Sequence, residues 1–510
     1  MDKLKDIRKI AKKINLKEKD LILYGTEYAK INYKQIDPKG KLILITSINP
    51  TPYGEGKTTL AIGINDALRK CKKNSIAVLR EPSMGPVFGK KGGATGGGMS
   101  TILPSDDINL HFTGDMHAIT YANNLICAMI DNHIYHGNEL QIDPNEIYFH
   151  RCLDINDRAL RKVKLENRDE CFNITAASEM MAIFCLADSI KDLEKRLNNI
   201  LIALSYDKKP IYFSNFKATK AIIRLLQTAF LPNLVQSKEG NPVIVHGGPF
   251  ANIAHGCNSL IATKLGLTLC NYVITEAGFG SDLGAVKFFD IKCRYGNLKP
   301  DLVIINVTLK AIKYHGNGDL KKGIENLEAH IRNMKLFSNN LLVVLNKFED
   351  DKIDEIDFVK EFVKNMNTDF EISTAYLEGS DGAINIAKYI INLKDNSDLK
   401  ELYDLSDNIE DKINIVCTKI FHSNKIKLNK KIKEKIKQIN ELGYNNLPIC
   451  IAKTPLSFSA DSTMLGNPTN YDIEVKDIEL KTGSEMIVVY LGKILTMPGL
   501  PKEPNILNFK

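Results

Sequence analysis

Between an apolar run at 42–45 and an amphipathic stretch beginning at Leu60 lies Thr51-Pro52-Tyr53-Gly54-Glu55-Gly56-Lys57-Thr58-Thr59. The apolar run reads as a buried strand. Leu60, Ile62, Ile64 and Leu68 read as the start of a helix. A strand, a Gly-rich loop and a helix opening on Gly-Lys-Thr form a cradle for a triphosphate. Backbone N–H groups and the helix N-terminus face the anion, Lys57 reaches the β/γ-phosphates, and the Thr58 hydroxyl binds Mg²⁺. Thr51 stands where that pattern usually has its first glycine. An ordinary Gly-rich turn between strand and helix is the plainer alternative, but it leaves the Lys-Thr pair unexplained.

Further short β-rich runs recur at 75–79, 243–246, 272–275, 302–307, 341–345 and 370–373. Most are continuous and aliphatic, the pattern of parallel strands covered on both faces. The expected fold is therefore an α/β, doubly wound, mostly parallel sheet of the P-loop NTPase kind, whose ligands bind at the carboxyl ends of its strands. The pattern lapses between about 143 and 234, where strands at 147–150, 200–204 and 211–213 and helices at 178–186 and 218–228 suggest an inserted α+β domain. It changes again after about 395, with a Lys-rich run at 425–437 and strands at 471–475 and 485–491. The expected division is 1–142 with 235–394 as a discontinuous nucleotide-binding domain, 143–234 as the insertion, and 395–510 as a C-terminal α+β domain.

A chain of 510 residues has room for two or three such cores. The net charge of +7 is modest, and the lysines are spread out rather than banded with aromatics. This favours small anionic ligands over nucleic acid. No apolar run reaches membrane-spanning length. The ten cysteines occur singly, without a CxxC pair, which predicts reduced thiols and neither a disulfide framework nor a zinc knuckle. With no secretory signal read at the amphipathic N-terminus, the cytoplasm is the expected location.

The strand at 75–79 runs into Arg80-Glu81-Pro82-Ser83, and seven glycines fall between Gly85 and Gly98. Glycine contributes no packing and costs chain entropy, so such a run suits a backbone passing close to an anion. Arg80, at a strand end beside the cradle, can hold a carboxylate or phosphate bidentately. The plainer alternative is a surface lid with an Arg–Glu pair. In His111-Phe112-Thr113-Gly114-Asp115-Met116-His117, the six-residue spacing of the histidines does not suit a metal pair on one helix face. Asp115 is read instead as ordering a ligand or cation, and His117 as an acid/base candidate. Glu276 and Asp282, in a Gly-rich turn after the strand at 272–275, are candidates for Mg²⁺-bound waters or a switch loop. Asn346-Lys347-Phe348-Glu349 is similar to the base-reading motif of GTPases, with Glu in the last place. It raises an alternative, a P-loop GTPase/ATPase switch or metallochaperone-type motor.

Several longer segments resemble the formate–tetrahydrofolate ligase family (10-formyltetrahydrofolate synthetases). They are 51–59, 80–89, 91–94, Phe-Thr-Gly-Asp at 112–115, His-Gly-Gly-Pro-Phe-Ala-Asn-Ile-Ala-His-Gly at 246–256, Thr-Glu-Ala-Gly-Phe-Gly at 275–280 and Met-Pro-Gly-Leu-Pro at 497–501. The resemblance implies ATP-dependent joining of formate to tetrahydrofolate through formyl phosphate, in a cytosolic homotetramer stimulated by a monovalent cation such as K⁺ or NH₄⁺. It places ATP on Thr51, Pro52, Gly54, Glu55, Gly56, Lys57, Thr58 and Thr59, and Mg²⁺ on Thr58. Arg80 would hold formyl phosphate, and Glu81 and Asp115 are the monovalent-cation candidates. It implies a pterin clamp of Phe348 and Tyr376, the latter standing where the family has Trp. A folate-binding relative without catalysis is a further alternative, against which the intact Lys57, Thr58 and Arg80 argue.

Overall fold

The computed structural model describes residues 4–33, 37–52, 54–89, 94–394 and 398–508. Tyr53 of the cradle, 90–93 of the Gly-rich run, 1–3 of the amphipathic N-terminus and the boundary residue 395 lie outside them.

A 12-stranded sheet runs through the molecule. Seven of its strands are parallel neighbours, in the order Pro242–Val245, Ser75–Leu79, Tyr272–Glu276, Lys41–Ser47, Leu302–Val307, Leu341–Asn346 and Asp369–Ser373. The continuous aliphatic runs take these places because helices and loops cover both faces, so successive side chains are buried on opposite sides. Leu42 and Leu44 pack with Ile7 and Ile10 near the N-terminus and with Ile413 and Val489 near the C-terminus. Ile43 and Ile45 face the other way, onto Leu60, Ile64 and Leu68 of the helix Lys57–Lys70.

An antiparallel margin extends the sheet beyond the parallel strands. Asn233–Ser237 pairs with Pro242–Val245 and with Tyr28–Ile31, which forms a hairpin with Leu21–Tyr24. This margin was not read from the sequence. The central sheet is thus α/β and mostly parallel, but mixed at one side.

Between the strands Ser100–Leu103 and Asn233–Ser237, a separate three-stranded sheet is built from Pro210–Tyr212, Leu201–Ser205 and Ile142–Ile147. The strand expected at 147–150 instead ends at Ile147. Its Pro144 is tolerated because the strand is an edge, pairing only with Leu201–Ser205. The core of this region includes Met116, Ile119, Ile126 and Ile130 from the long helix Asp115–Tyr135. The Lys-rich run supplies a short strand, Ile426–Lys427, and the first turns of the helix Lys430–Glu441. Ile432, Ile436 and Ile439 face inward there, leaving most lysines in solvent. Among the described residues no helix is long and apolar enough to cross a membrane.

A buried polar hub fastens the C-terminal segment to the cradle loop. Asn49, two residues beyond the strand Lys41–Ser47, donates its backbone N–H to His330 Nε2 at 2.9 Å and its amide to Asp282 at 3.2 Å and to the Pro455 carbonyl at 3.1 Å. Asp282 in turn pairs with Lys453 at 2.8 Å, both side chains fully buried. A buried pair of this kind fixes geometry more than it adds stability.

Candidate active site

The loop expected to form a cradle follows the carboxyl end of Lys41–Ser47. Its loop is shaped from within by Glu55, whose carboxylate accepts the Thr51 N–H at 2.7 Å and the Thr308 hydroxyl at 2.6 Å. The Glu55 carbonyl accepts the Asn306 amide at 2.6 Å, tying the loop to the neighbouring strand. Glu55 is therefore buried and directed inward, while Pro52 and Gly54 stand exposed. Gly56 caps the helix at a φ of +73°, where a Cβ would also lie 2.7 Å from Asn346 Nδ2, so glycine is required on both counts.

The first turn of the helix carries Lys57, Thr58 and Thr59. Lys57 donates to Ser47 Oγ at 3.0 Å. Burial holds its ammonium below the usual lysine range, opposed by the charges of Glu276 and Glu55 and reinforced by Arg80. The Thr58 hydroxyl donates to Glu276 Oε2 at 3.0 Å, and the other Glu276 oxygen lies 3.7 Å from the Arg80 guanidinium. Three adjacent parallel strands meet at this point. Lys41–Ser47 leads into the cradle, Ser75–Leu79 into Arg80, and Tyr272–Glu276 ends on the carboxylate itself. Arg80 Nε is buried without a hydrogen-bond partner, and a Cβ on Gly278 would lie 2.8 Å from its Nη1. Asp282, the other acidic candidate of this turn, is committed to Lys453 and Asn49.

Glu81 and Asp115 come together in a second group. Lys30 places its ammonium 2.5 and 2.6 Å from the two Asp115 oxygens and also donates to the carbonyls of Ala229 and Leu231. Burial, followed by the charge of Asp115, raises the Glu81 carboxyl well above its usual range. The charge facing Asp115 is thus the protein's own lysine. Lys30 could have been noticed as a cation among apolar strand neighbours, but its partner is 85 residues away. His117 is exposed, with its ring 4.3 Å from that of Tyr121 one turn along the same helix.

Phe348 and Tyr376 follow the ends of the neighbouring strands Leu341–Asn346 and Asp369–Ser373, whose last residues are paired. Lys310 Nζ lies 4.5 Å from the centre of the half-buried Phe348 ring. Tyr376 is half exposed, and its ring lies against the Gly-rich strip. A Cβ on Gly97 would come within 3.0 Å of the ring, and one on Gly98 within 2.1 Å of the Tyr376 carbonyl. The same Gly97 Cβ would lie 3.9 Å from Thr59 Oγ1. The glycines therefore let the backbone pass between the cradle helix and Tyr376. The C-terminal tail holds the preceding segment, with Asn505 donating to the carbonyls of Gly89 and Val87.

A sequence profile described as formate–tetrahydrofolate ligase matches residues 1–510. The chain belongs to the formate–tetrahydrofolate ligase family. A Campylobacter concisus (strain 13826) protein named formate–tetrahydrofolate ligase is 48% identical over 529 aligned positions, covering 100% of this chain and 96% of its own. Among solved structures, the MinC:MinD cell division complex of Aquifex aeolicus aligns with a TM-score of 0.25 at 13% identity, over 71% of this chain and 99% of its own. The switch or motor alternative raised by Asn346-Lys347 has no support beside a family match of this extent.

Glu276→Gln removes the charge that faces both Thr58 and Arg80 while preserving shape. Ligase turnover should fall by roughly 10²-fold or more, with the thermal midpoint little changed. Initial rates and melting curves on one preparation check this, and near-native turnover would remove Glu276 from the site.

Proposed function

We propose that the chain joins formate to tetrahydrofolate at the expense of ATP, with the cleft around Glu276 as the reaction centre. The observation that carries the assignment of residues is the meeting of Thr58 and Arg80 on that one carboxylate, with the Lys57 ammonium within its electrostatic influence. The triphosphate lies along the loop 51–59, held by backbone N–H groups, the helix N-terminus and Lys57. Thr58 and Glu276 offer a hydroxyl and a carboxylate oxygen 3.0 Å apart, a hard-oxygen pair of the kind Mg²⁺ prefers. Bound there, the ion would neutralise phosphate charge.

Formate is a poor acyl donor until one of its oxygens carries a phosphoryl group. Arg80 orients the formate oxygen toward the γ-phosphorus, and Lys57 stabilises charge on the transferring group. The formyl phosphate then meets the N10 amine of the folate. Attack at the formyl carbon builds an oxyanion that Arg80 stabilises before phosphate departs. The glycine strip beside Tyr376 limits water access to the mixed anhydride. Phe348 and Tyr376 would supply stacking faces for the pterin.

The expected K⁺ or NH₄⁺ does not fit at Glu81 and Asp115 as they stand, because the Lys30 ammonium already occupies the face of Asp115 and matches its charge. No step depends on such an ion. His117 keeps a role only if the folate reaches its exposed face. The three-part division at 142, 234 and 394 belongs to the same reading, supported by the separate three-stranded sheet of Ile142–Ile147, Leu201–Ser205 and Pro210–Tyr212, whose first strand begins at the first boundary. So does a homotetramer, which would cover the exposed Tyr121 and Leu125. Ten unpaired cysteines favour a reducing compartment such as the cytoplasm.

ADP release measured in three mixtures tests the reaction. ATP alone should give little ADP, ATP with formate no more than a slow or stoichiometric amount, and the full mixture sustained turnover. Vigorous hydrolysis of ATP alone would contradict the assignment.

Tyr376 tests the folate end separately. Tyr376→Ala should raise the tetrahydrofolate KM by the equivalent of about 1–3 kcal/mol, and Tyr376→Trp should keep or improve affinity. Both should leave the KM values for ATP and formate nearly unchanged. Unaltered folate dependence in Tyr376→Ala would remove the ring from the site.

A further inference from the structure

Outside the cleft, one cluster combines a thiol, an imidazole and a carboxylate. A ring nitrogen of His150, a carboxylate oxygen of Glu170 and Cys171 Sγ all lie within 4.8 Å of one another. Glu170 Oε1 is 2.8 Å from His150 Nδ1 and also accepts the Cys171 N–H at 3.0 Å. Its other oxygen receives Arg151 at 3.0 Å and Arg168 at 2.7 Å. The carboxylate is thereby fixed, and it fixes the ring.

Eight of the ten cysteines are buried, and only Cys71 and Cys171 are partly open to solvent. The protein therefore contains its own comparison, two partly buried thiols of which one has a histidine beside it. We propose that Cys171 is a redox-reactive thiol, activated by His150, that hydroperoxides oxidise selectively.

The electrostatics agree with that placement. Burial works against charge on His150, but the neighbouring Cys171 and the hydrogen bond with Glu170 outweigh it and push its pKa up to about 9. At neutral pH the ring is an imidazolium next to the sulfur, a proton donor placed for the group that leaves when the sulfur is oxidised. Burial also opposes charge on Glu170, yet His150 and Arg168 hold it down at about 2, so the carboxylate stays ionised and keeps the ring oriented. A divalent metal is the less favoured occupant. The imidazole holds its proton, and the carboxylate already answers two arginines.

In the reaction, the Cys171 thiolate attacks one peroxide oxygen and the O–O bond breaks. His150 gives its proton to the departing hydroxide. The products are a sulfenic acid on Cys171, one water (or an alcohol from an organic peroxide) and a neutral imidazole. The site lies at a seam. Glu479 and Lys481, on the strand Asp477–Lys481 near the C-terminus, are the charged neighbours across from His150 and Cys171.

The test uses the reduced full-length protein. Iodoacetamide at pH 6.5, followed by peptide mass spectrometry over time, should label Cys171 faster than Cys71 by at least roughly tenfold. Hydrogen peroxide with dimedone present should trap a sulfenic acid on Cys171 and little on Cys71. His150→Gln should bring the two rates together. Equal labelling of the two thiols in the unsubstituted protein would overturn the proposal, whatever the variant does. Stoichiometric Zn²⁺ binding that is lost in both Cys171→Ser and His150→Gln would also overturn it, by making the cluster a metal site.

Discussion

The carboxylate of Glu276 holds together charges that would otherwise repel each other. Arg80 lies 3.7 Å from it and Thr58 donates to it, while Lys57, at the neighbouring strand end, is favoured as an ammonium by the Glu276 charge and disfavoured by that of Arg80. The register of three parallel strands sets this arrangement. Glu276 is paired with Ile45 and Thr275 with Val78, so the residues just beyond each strand converge on one side of the sheet. In the proposed reaction, a substrate anion entering this position would meet cations held in place beforehand, with little reorganisation left to do.

The second requirement is that the loop carrying the cradle keeps its shape before any anion arrives. Glu55 shapes it from inside, and Asn49 anchors its base to Asp282, His330 and the C-terminal segment. Burial presses His330 down to about 3, leaving a neutral ring that accepts the Asn49 N–H. The residues near 453–457 thus support the loop from more than 400 positions away in sequence.

What could be read from the chain followed the locality of each signal. The parallel strands were legible because burial on both faces leaves an unbroken aliphatic run, and the cradle because its loop chemistry is contiguous. The hairpin Leu21–Tyr24 and Tyr28–Ile31 was not, since its outer strand is half exposed and carries no such run. Ile142–Ile147 was misplaced because an edge strand tolerates Pro144 and polar neighbours. Arg80, Lys57 and Thr58 came together as their types suggested. Asp115 met a lysine that no spacing rule connects to it, and His117 turned outward on its helix. Side-chain pairings across long sequence separation are fixed by the sheet order, which a single sequence does not display.

The central claim is that this cleft activates formate by phosphorylating it before the carbon is attacked. Turnover with [¹⁸O]formate tests this most directly, with the isotope content of the released phosphate read by mass spectrometry. If formyl phosphate forms and its C–O bond is the one broken, each phosphate carries one oxygen from formate. Phosphate free of formate-derived oxygen would contradict the account.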